Sequence, residues 1–344
     1  MKAAVVILNW NGRKMLEEFL PSVMKNTTCE QTKIIVADND STDDSPEFLS
    51  QNFSDVEQIV LDKNYGFAGG YNRALKKVNA KYFVLLNSDV EVTENWLAPL
   101  ISHLDENDKV AACMPKILSY RQKTHFEHAG AAGGFIDRYG YPFCRGRILN
   151  NLEIDEKQYD MPIDVFWTTG ACMIIRSEIY NRLKGFDEDF FAHMEEIDLC
   201  WRIQHAGYSL ACVPQSAVFH LGGGTLEADN PKKIYLNFRN NLFMLAKNLP
   251  ERKFKRTMLA RLTLDFLSAA VFLGSLKFGG FAAVIKAHFH FYKSIRILRK
   301  KRKEILELSK ISEVPNMYDK SILLKFFKSG KKLKFSEIPY TFGK

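Results

Sequence analysis

Cysteine is scarce and scattered. The six in 344 residues (Cys29, Cys113, Cys144, Cys172, Cys200 and Cys212) include no C-x-x-C pair, which argues against a zinc knuckle or a disulfide framework and fits a reducing, cytoplasmic setting. Long apolar runs are missing as well. The N-terminal run 3–8 covers six residues and stops at Asn9, Trp10, Asn11 and Gly12, too short for a signal peptide. The strongest later stretch, 258–276, is interrupted by Arg261 and Asp265, and its charge-free part falls short of the roughly 20 residues that cross a bilayer. Acidic residues thin out in the last third. Residues 232–344 hold 26 Lys and Arg against 7 Asp and Glu, a balance of +19, whereas residues 1–231 hold 22 against 33, a balance of −11. The acidic part suits cations or hydroxyl-rich ligands, the basic part an anionic surface. No internal repeat is evident.

What remains is an ordinary globular composition, 46% hydrophobic and 26% charged, which excludes collagen-like and wholly disordered chains. The length suits one large α/β domain with an appendage, or two domains. The change of character past Pro250 divides the chain into 1–250 and 251–344. Short apolar runs (3–8, 33–37, 57–61, 82–86 and 110–114) alternate with helix-period segments (14–25 and 70–78), the pattern of β-α-β units in a mainly parallel, doubly covered sheet. Ligands of such sheets bind beyond the carboxyl ends of strands, and the polar clusters 9–12, 38–44 and 87–89 each follow a strand directly. Residues 119–161 lose periodicity and read as a looped, substrate-covering insertion. Segment 195–206 reads as a helix, 209–220 as a closing strand, and 254–302 as helical.

Five constellations carry chemistry, each with a plain structural alternative. Asp38-Asn39-Asp40-Ser41-Thr42-Asp43 is either a capped turn or an acceptor for a base N–H or ribose hydroxyl. Asn87-Ser88-Asp89 is a polar turn, or oxygen ligands for Mg²⁺ or Mn²⁺ that complete their shell from water and a diphosphate. The glycine-rich stretch 64–72 opens a helix whose N-terminus admits a phosphate, but it matches neither the dinucleotide nor the P-loop spacing. Glu195, Glu196 and Asp198 form an ordinary acidic first turn, or one of them is a general base. His220, followed by Gly222-Gly223-Gly224-Thr225 and then Asn237, Arg239, Asn240 and Asn241, is a structural histidine or a contact for metal or diphosphate.

Taken together and in this order, these strings resemble the inverting family 2 glycosyltransferases with the GT-A fold, particularly the bacterial rhamnosyltransferase-like branch. The resemblance spans residues 3–245 and rests on Val5-Val6-Ile7-Leu8-Asn9-Trp10-Asn11-Gly12, the Asp38 turn, the 64–72 loop, Leu85-Leu86-Asn87-Ser88-Asp89, Trp167-Thr168-Thr169-Gly170-Ala171 and the Glu195 helix. It implies an α/β nucleotide-diphospho-sugar transferase fold in which Asp38 meets the nucleotide base beside Leu8 and Asn11. It further implies that Gly66, Gly70 and Asn72 border the donor near Asn87 and Ser88, and that Asp89 and His220 hold Mg²⁺ or Mn²⁺. Trp167, Gly170, Glu195 and Asp198 would meet sugar or acceptor, and Glu196 would be the base. Two departures stand out: Asn87 occupies the first Asp position of D-x-D, and Glu196 an Asp position.

The implied activity is inverting, metal-dependent transfer of a hexose such as rhamnose from a nucleotide-diphosphate donor to a glycan or lipid-linked hydroxyl, in cell-surface polysaccharide synthesis. The similarity of the 64–72 loop to those of rhamnosyltransferases implies a deoxythymidine diphosphate sugar as the donor. The competing readings are a sugar nucleotidyltransferase, which would need a richer glycine loop than Asn11-Gly12-Arg13-Lys14, and a nucleic-acid-binding protein using the basic tail, which lacks an aromatic platform. No nucleic-acid partner is expected. Residues 251–344 combine apolar positions (Leu259, Leu262, Phe266, Leu273, Phe281, Ile285, Phe289, Tyr292) with many Lys and Arg, as helices in a headgroup layer do. A membrane-associating region, peripheral to the inner face of the cytoplasmic membrane, is the expectation.

Overall fold

The structure is a computed structural model that describes residues 1–222, 230–311 and 313–338. Its first half is built from the expected alternation: β1 (Ala3–Asn9), α1 (Arg13–Asn26), β2 (Thr32–Asp38), α2 (Ser45–Asn52), β3 (Glu57–Val60), α3 (Gly66–Leu75) and β4 (Tyr82–Asn87). β1 reads AAVVILN and is buried along almost its whole length, because helices cover both faces of a parallel sheet. It pairs in parallel with β2 and with β4, in a register that sets Asn9 opposite Asp38 and Leu8 opposite Asn87. Three polar strand ends are thereby brought to one edge.

The sheet continues through β5 (Val90–Val92), α4 (Ala98–Glu106), β6 (Val110–Ser119), and, after an insertion, β11 (Ile163–Asp164), β12 (Cys172–Arg176), α5 (Ser177–Arg182), α6 (Glu195–His205) and β13 (Ser209–His220). The strand order is β11-β13-β6-β12-β4-β1-β2-β3, with β5 on β13. β12 runs antiparallel to both β4 and β6, and β13 runs parallel to β6. The parallel expectation therefore describes β4-β1-β2-β3, and the rest of the sheet is mixed. Antiparallel pairing of His220 with Val90 brings the end of β13 to the strand that follows Asp89.

The insertion is more ordered than a loop. β7 (Gly134–Asp137), β8 (Pro142–Cys144), β9 (Arg147–Ile148) and β10 (Asn151–Leu152) form a second sheet, completed by β14 (Met317–Tyr318) from the C-terminal region. That region begins with α7 (Pro231–Asn248), α8 (Glu251–Gly274) and α9 (Phe278–Glu307), and ends, after β14, with α10 (Ile322–Lys328). Position 250 marks no break in packing. Phe291, Leu298, Tyr318, Phe326 and Phe335 belong to the same hydrophobic core as β1 and β4, and Phe335 packs against Phe135 and Tyr159.

α8 departs from its expectation. By length and composition its 24 residues suffice to cross a membrane, with 28% of the apolar window buried. Arg261 and Asp265, which interrupt the apolar run in sequence, bond each other at 2.8 Å on the buried stripe, and Asp265 also meets His288 of α9 at 3.2 Å. Their charges are satisfied inside the helical layer, which leaves the outward face apolar.

Candidate active site

The carboxyl ends of β1 and β2 form the most rigid part of the rim. Asn9 is fully buried and donates to Asp38 Oδ2 at 3.0 Å, while Asp38 Oδ1 accepts the Ser41 amide at 2.9 Å. Asn11 lies at the surface with φ 51°, and its side-chain oxygen accepts the Thr42 amide at 2.7 Å. Leu8 is half-buried beside them, and the Trp10 indole is half exposed. Asp38, Leu8 and Asn11 are thus held together. The Asn9 carboxamide oxygen has no partner although it is buried, which leaves one acceptor at this edge unused.

The glycine-rich segment behaves differently from its expectation. α3 starts at Gly66, not at 70, because its first amides are already satisfied: Gly66 donates to Asn64 Oδ1, and Phe67 and Ala68 donate to the Phe191 carbonyl at 2.8 and 3.2 Å. That helix end is closed to a phosphate in this conformation. Gly66 is required by its φ of +70° and by Phe191, whose ring would lie 2.5 Å from an added Cβ. Gly70 lets the helix sit on Leu8, 2.9 Å from where a Cβ would be. Asn72 is buried and fully engaged, accepting from Tyr180 and Phe186 and donating to the Phe186 carbonyl. Gly70 and Asn72 are packing residues, and Gly66 is a turn residue. None presents a free group to a donor here.

Asp89 and His220 meet as expected. His220 Nε2 is 3.2 Å from Asp89 Oδ1, and its Nδ1 is 3.0 Å from Glu127 Oε2. Burial disfavours the imidazolium, but the bonds and charges of Asp89 and Glu127 outweigh it and lift the pKa to about 10. Glu127, buried in the insertion, has no neighbouring motif to mark it in sequence. Among the described residues no three His, Cys, Asp or Glu side chains are arranged to hold a metal unaided. A divalent cation would have to displace the proton at Nε2, and the residues would then offer it one carboxylate, Asp89, and one imidazole whose other nitrogen is fixed by Glu127. Asn87 and Ser88 are half-buried beside Asp89. Gly223, Gly224 and Thr225 lie outside the described residues.

The acidic start of α6 separates into three different groups. Asp198 is fully buried and bonded to Arg202 and Lys247, each at 2.9 Å, and to Asn248 at 2.8 Å. This saturation leaves it no face for a substrate. Glu195 is buried with one oxygen unpartnered, and burial, then the charge of Glu196, pushes its carboxyl far up. Glu196 is half-buried, and one of its oxygens has no partner. Burial raises its pKa to about 7, against the backbone amides of Glu196, Ile197 and Met194. A carboxyl at that value takes and releases protons near neutrality.

Trp167 is buried in the core and donates to the Phe135 carbonyl at 2.9 Å, so its indole N–H is already engaged between the two sheets. Gly170 is half-buried against Phe67. Two contacts tie this stretch to the rim: the Asn87 amide donates to the Ala171 carbonyl at 2.9 Å, and Thr168 lies 3.4 Å from Cys200 of α6. The start of α6 also reaches the rim through Phe191 and α3. Asp38, Asp89 and Glu196 accordingly belong to elements that converge on one sheet edge.

Comparison with known proteins agrees with this architecture. The model of "Glycosyl transferase family 2" matches residues 4–183, which is 180 of the 344. The chain is 24% identical over 264 residues to the N-acetylglucosaminyl-diphospho-decaprenol L-rhamnosyltransferase of Mycobacterium tuberculosis, covering 70% of this chain and 83% of that protein. It is 25% identical over 238 residues to the O-antigen biosynthesis protein RfbC of Myxococcus xanthus, covering 66% of this chain but only 18% of that longer protein. The crystal structure of GalNAc-T7 with UDP, GalNAc and Mn²⁺ superposes with a TM-score of 0.57 at 18% identity, over 72% of this chain and 48% of the other. The fold is therefore GT-A.

Proposed function

We propose, for a chain that belongs to glycosyl transferase family 2, a single inverting displacement that moves a sugar from a nucleotide-diphosphate donor to a hydroxyl of a glycan or lipid-linked acceptor. Membership makes the chain a glycosyltransferase. The finer reading rests on one observation above the rest: Glu196, half-buried with an unpartnered oxygen, opens the helix whose preceding turn caps α3 through the Phe191 carbonyl, and burial raises its pKa to about 7. Glu196 takes the acceptor proton, the oxygen attacks the anomeric carbon, and the bond to the diphosphate oxygen breaks on the opposite face. Configuration inverts. Burial, then the charge of Glu196, favours the uncharged form of Glu195 beside it.

Asp38, held by Asn9 and Ser41, accepts from the nucleotide base, with Leu8 and Asn11 flanking and the exposed Trp10 offering a flat face. Asp89 and His220 would hold Mg²⁺ or Mn²⁺, with Asn87 and Ser88 beside them. A bound divalent cation supplies charge neutralisation on the leaving diphosphate. Rhamnose as the sugar and cell-surface polysaccharide as the product are supported by what the Mycobacterium tuberculosis and Myxococcus xanthus proteins are named for.

Attachment to the inner face of the cytoplasmic membrane belongs to the same reading. The turn between α8 and α9 exposes Leu276 and Phe278, and Gly279 beside it packs on Pro231 at the start of α7, 3.0 Å from a built Cβ. Next in the chain, Lys232 lies 5.5 Å from the Phe191 ring. The apolar tip is one helix end away from the rim, a short path for a lipid-borne hydroxyl.

Glu196→Gln tests the assignment. It should lower transfer at saturating donor by about 10²- to 10⁴-fold while the melting point still rises on addition of donor. Full transfer by this variant would remove Glu196 from the reaction.

A further inference from the structure

We infer that Asn240 is a positioning residue for glycosyl transfer: its side-chain amide fixes residues 190–194 and thereby aims the first turn of α6. The inference rests on the reading of Glu196 as the base. Asn240 lies on α7, fully buried, and its Nδ2 is within hydrogen-bond distance of three consecutive-region carbonyls: Phe190 at 3.0 Å, Ala192 at 2.8 Å and His193 at 2.7 Å. Its Oδ1 is held in turn by Arg239 Nε at 2.8 Å. Arg239 adds donations from Nη2 to the Asp189 and Phe190 carbonyls, both at 2.9 Å.

The segment so gripped does not hold its shape by local preference. Phe191 (φ 64°, ψ −59°), His193 (φ 69°) and Met194 (φ 71°, ψ −5°) all take positive φ without being glycine, and such conformations persist only where surroundings over-determine them. Phe191 forms a γ-turn of the rarer positive-φ hand, closed by the Ala192 amide on the Phe190 carbonyl at 2.8 Å. Met194 is the residue from which α6 departs, so its left-handed backbone sets the direction in which Glu195 and Glu196 leave. The Phe191 carbonyl meanwhile caps α3. One buried amide on α7 thus registers the base-bearing helix against the glycine-rich helix.

Asn240→Asp keeps the size and removes both N–H donors, and Asn240→Ser keeps one donor. In the full chain, Asn240→Asp should raise amide hydrogen exchange in 190–196 while β1, β2 and β4 stay protected. It should also lower kcat about 100-fold with the donor KM unchanged, and Asn240→Ser should recover part of that loss. Wild-type exchange in 190–196 for Asn240→Asp would overturn the inference, as would kcat and donor KM worsening together alongside lost protection throughout the sheet. Failure of the base itself is read separately, from transfer by Glu196→Gln, because the exchange experiment needs no activity.

Discussion

Lys247 illustrates how single buried charges organise the site from behind. It is almost completely buried, with Asp187 at 2.5 Å and Asp198 at 2.9 Å, and Lys301 of α9 reaches the other oxygen of Asp187 at 2.5 Å. Burial alone would raise both carboxyls. For Asp187, Lys247 and Lys301 outweigh it, and for Asp198, Lys247 and Arg202 do, so both titrate below the usual range. A folded-state pKa below the unfolded one contributes stability at neutral pH that is lost as pH falls through the acid range. Glu195 and Glu196 are raised, so their contribution has the opposite sign and is lost as pH rises; for Glu196 this occurs through about 7. Lys247→Met, similar in length but uncharged, removes the cation shared by two buried carboxylates and leaves Asp187 to Lys301 and Asp198 to Arg202; it should destabilise the fold by about 3 kcal/mol, measured by urea unfolding at pH 7. A change below about 1 kcal/mol would match an exposed pair and contradict this reading.

At the scale of elements, what could be read in sequence was what is local. β1, β2, β4 and α6 follow from apolar periodicity and appear within a residue or two of their expected bounds. The start of α3 was displaced by four residues because its cap is the carbonyl of Phe191, far along the chain. The second sheet escaped notice because its strands are two to four residues long and it closes with β14. The partners of Trp167 and Asn72 are not legible in sequence, because Phe135, Tyr180 and Phe186, which engage them, are far along the chain. Arg261 and Asp265 broke the apolar run on paper and pair with each other in space. The α8–α9 layer leaves Phe266, Leu276 and Phe278 exposed. Replacing all three with Ser should weaken binding to anionic phospholipid vesicles at least about tenfold, given about 1.5 kcal/mol or more per buried apolar side chain, with the melting point unchanged. Equal vesicle binding by the variant would contradict attachment through this tip.

Over the whole molecule, the acidic first part and basic last part interlock. Lys301 and Lys247, both from the basic part, neutralise Asp187 and Asp198, and α9 shares the core of the sheet. That Asp38 and Asp89 follow strands and Glu196 opens a helix is legible in the order of elements; Glu127 is not, since only the packing of the insertion against β13 brings it to His220. The raised pKa of Glu196 comes from burial at the start of α6, which disfavours its charge against the backbone amides of Glu196, Ile197 and Met194. The single-turnover transfer rate of the wild-type chain, followed from pH 5 to 9 with donor saturating, reads that property at once. The rate should climb as Glu196 ionises, reaching half its plateau near pH 7. A rate that is flat across this range, or that falls through pH 7, would contradict a base that titrates near 7 and with it the role given to Glu196.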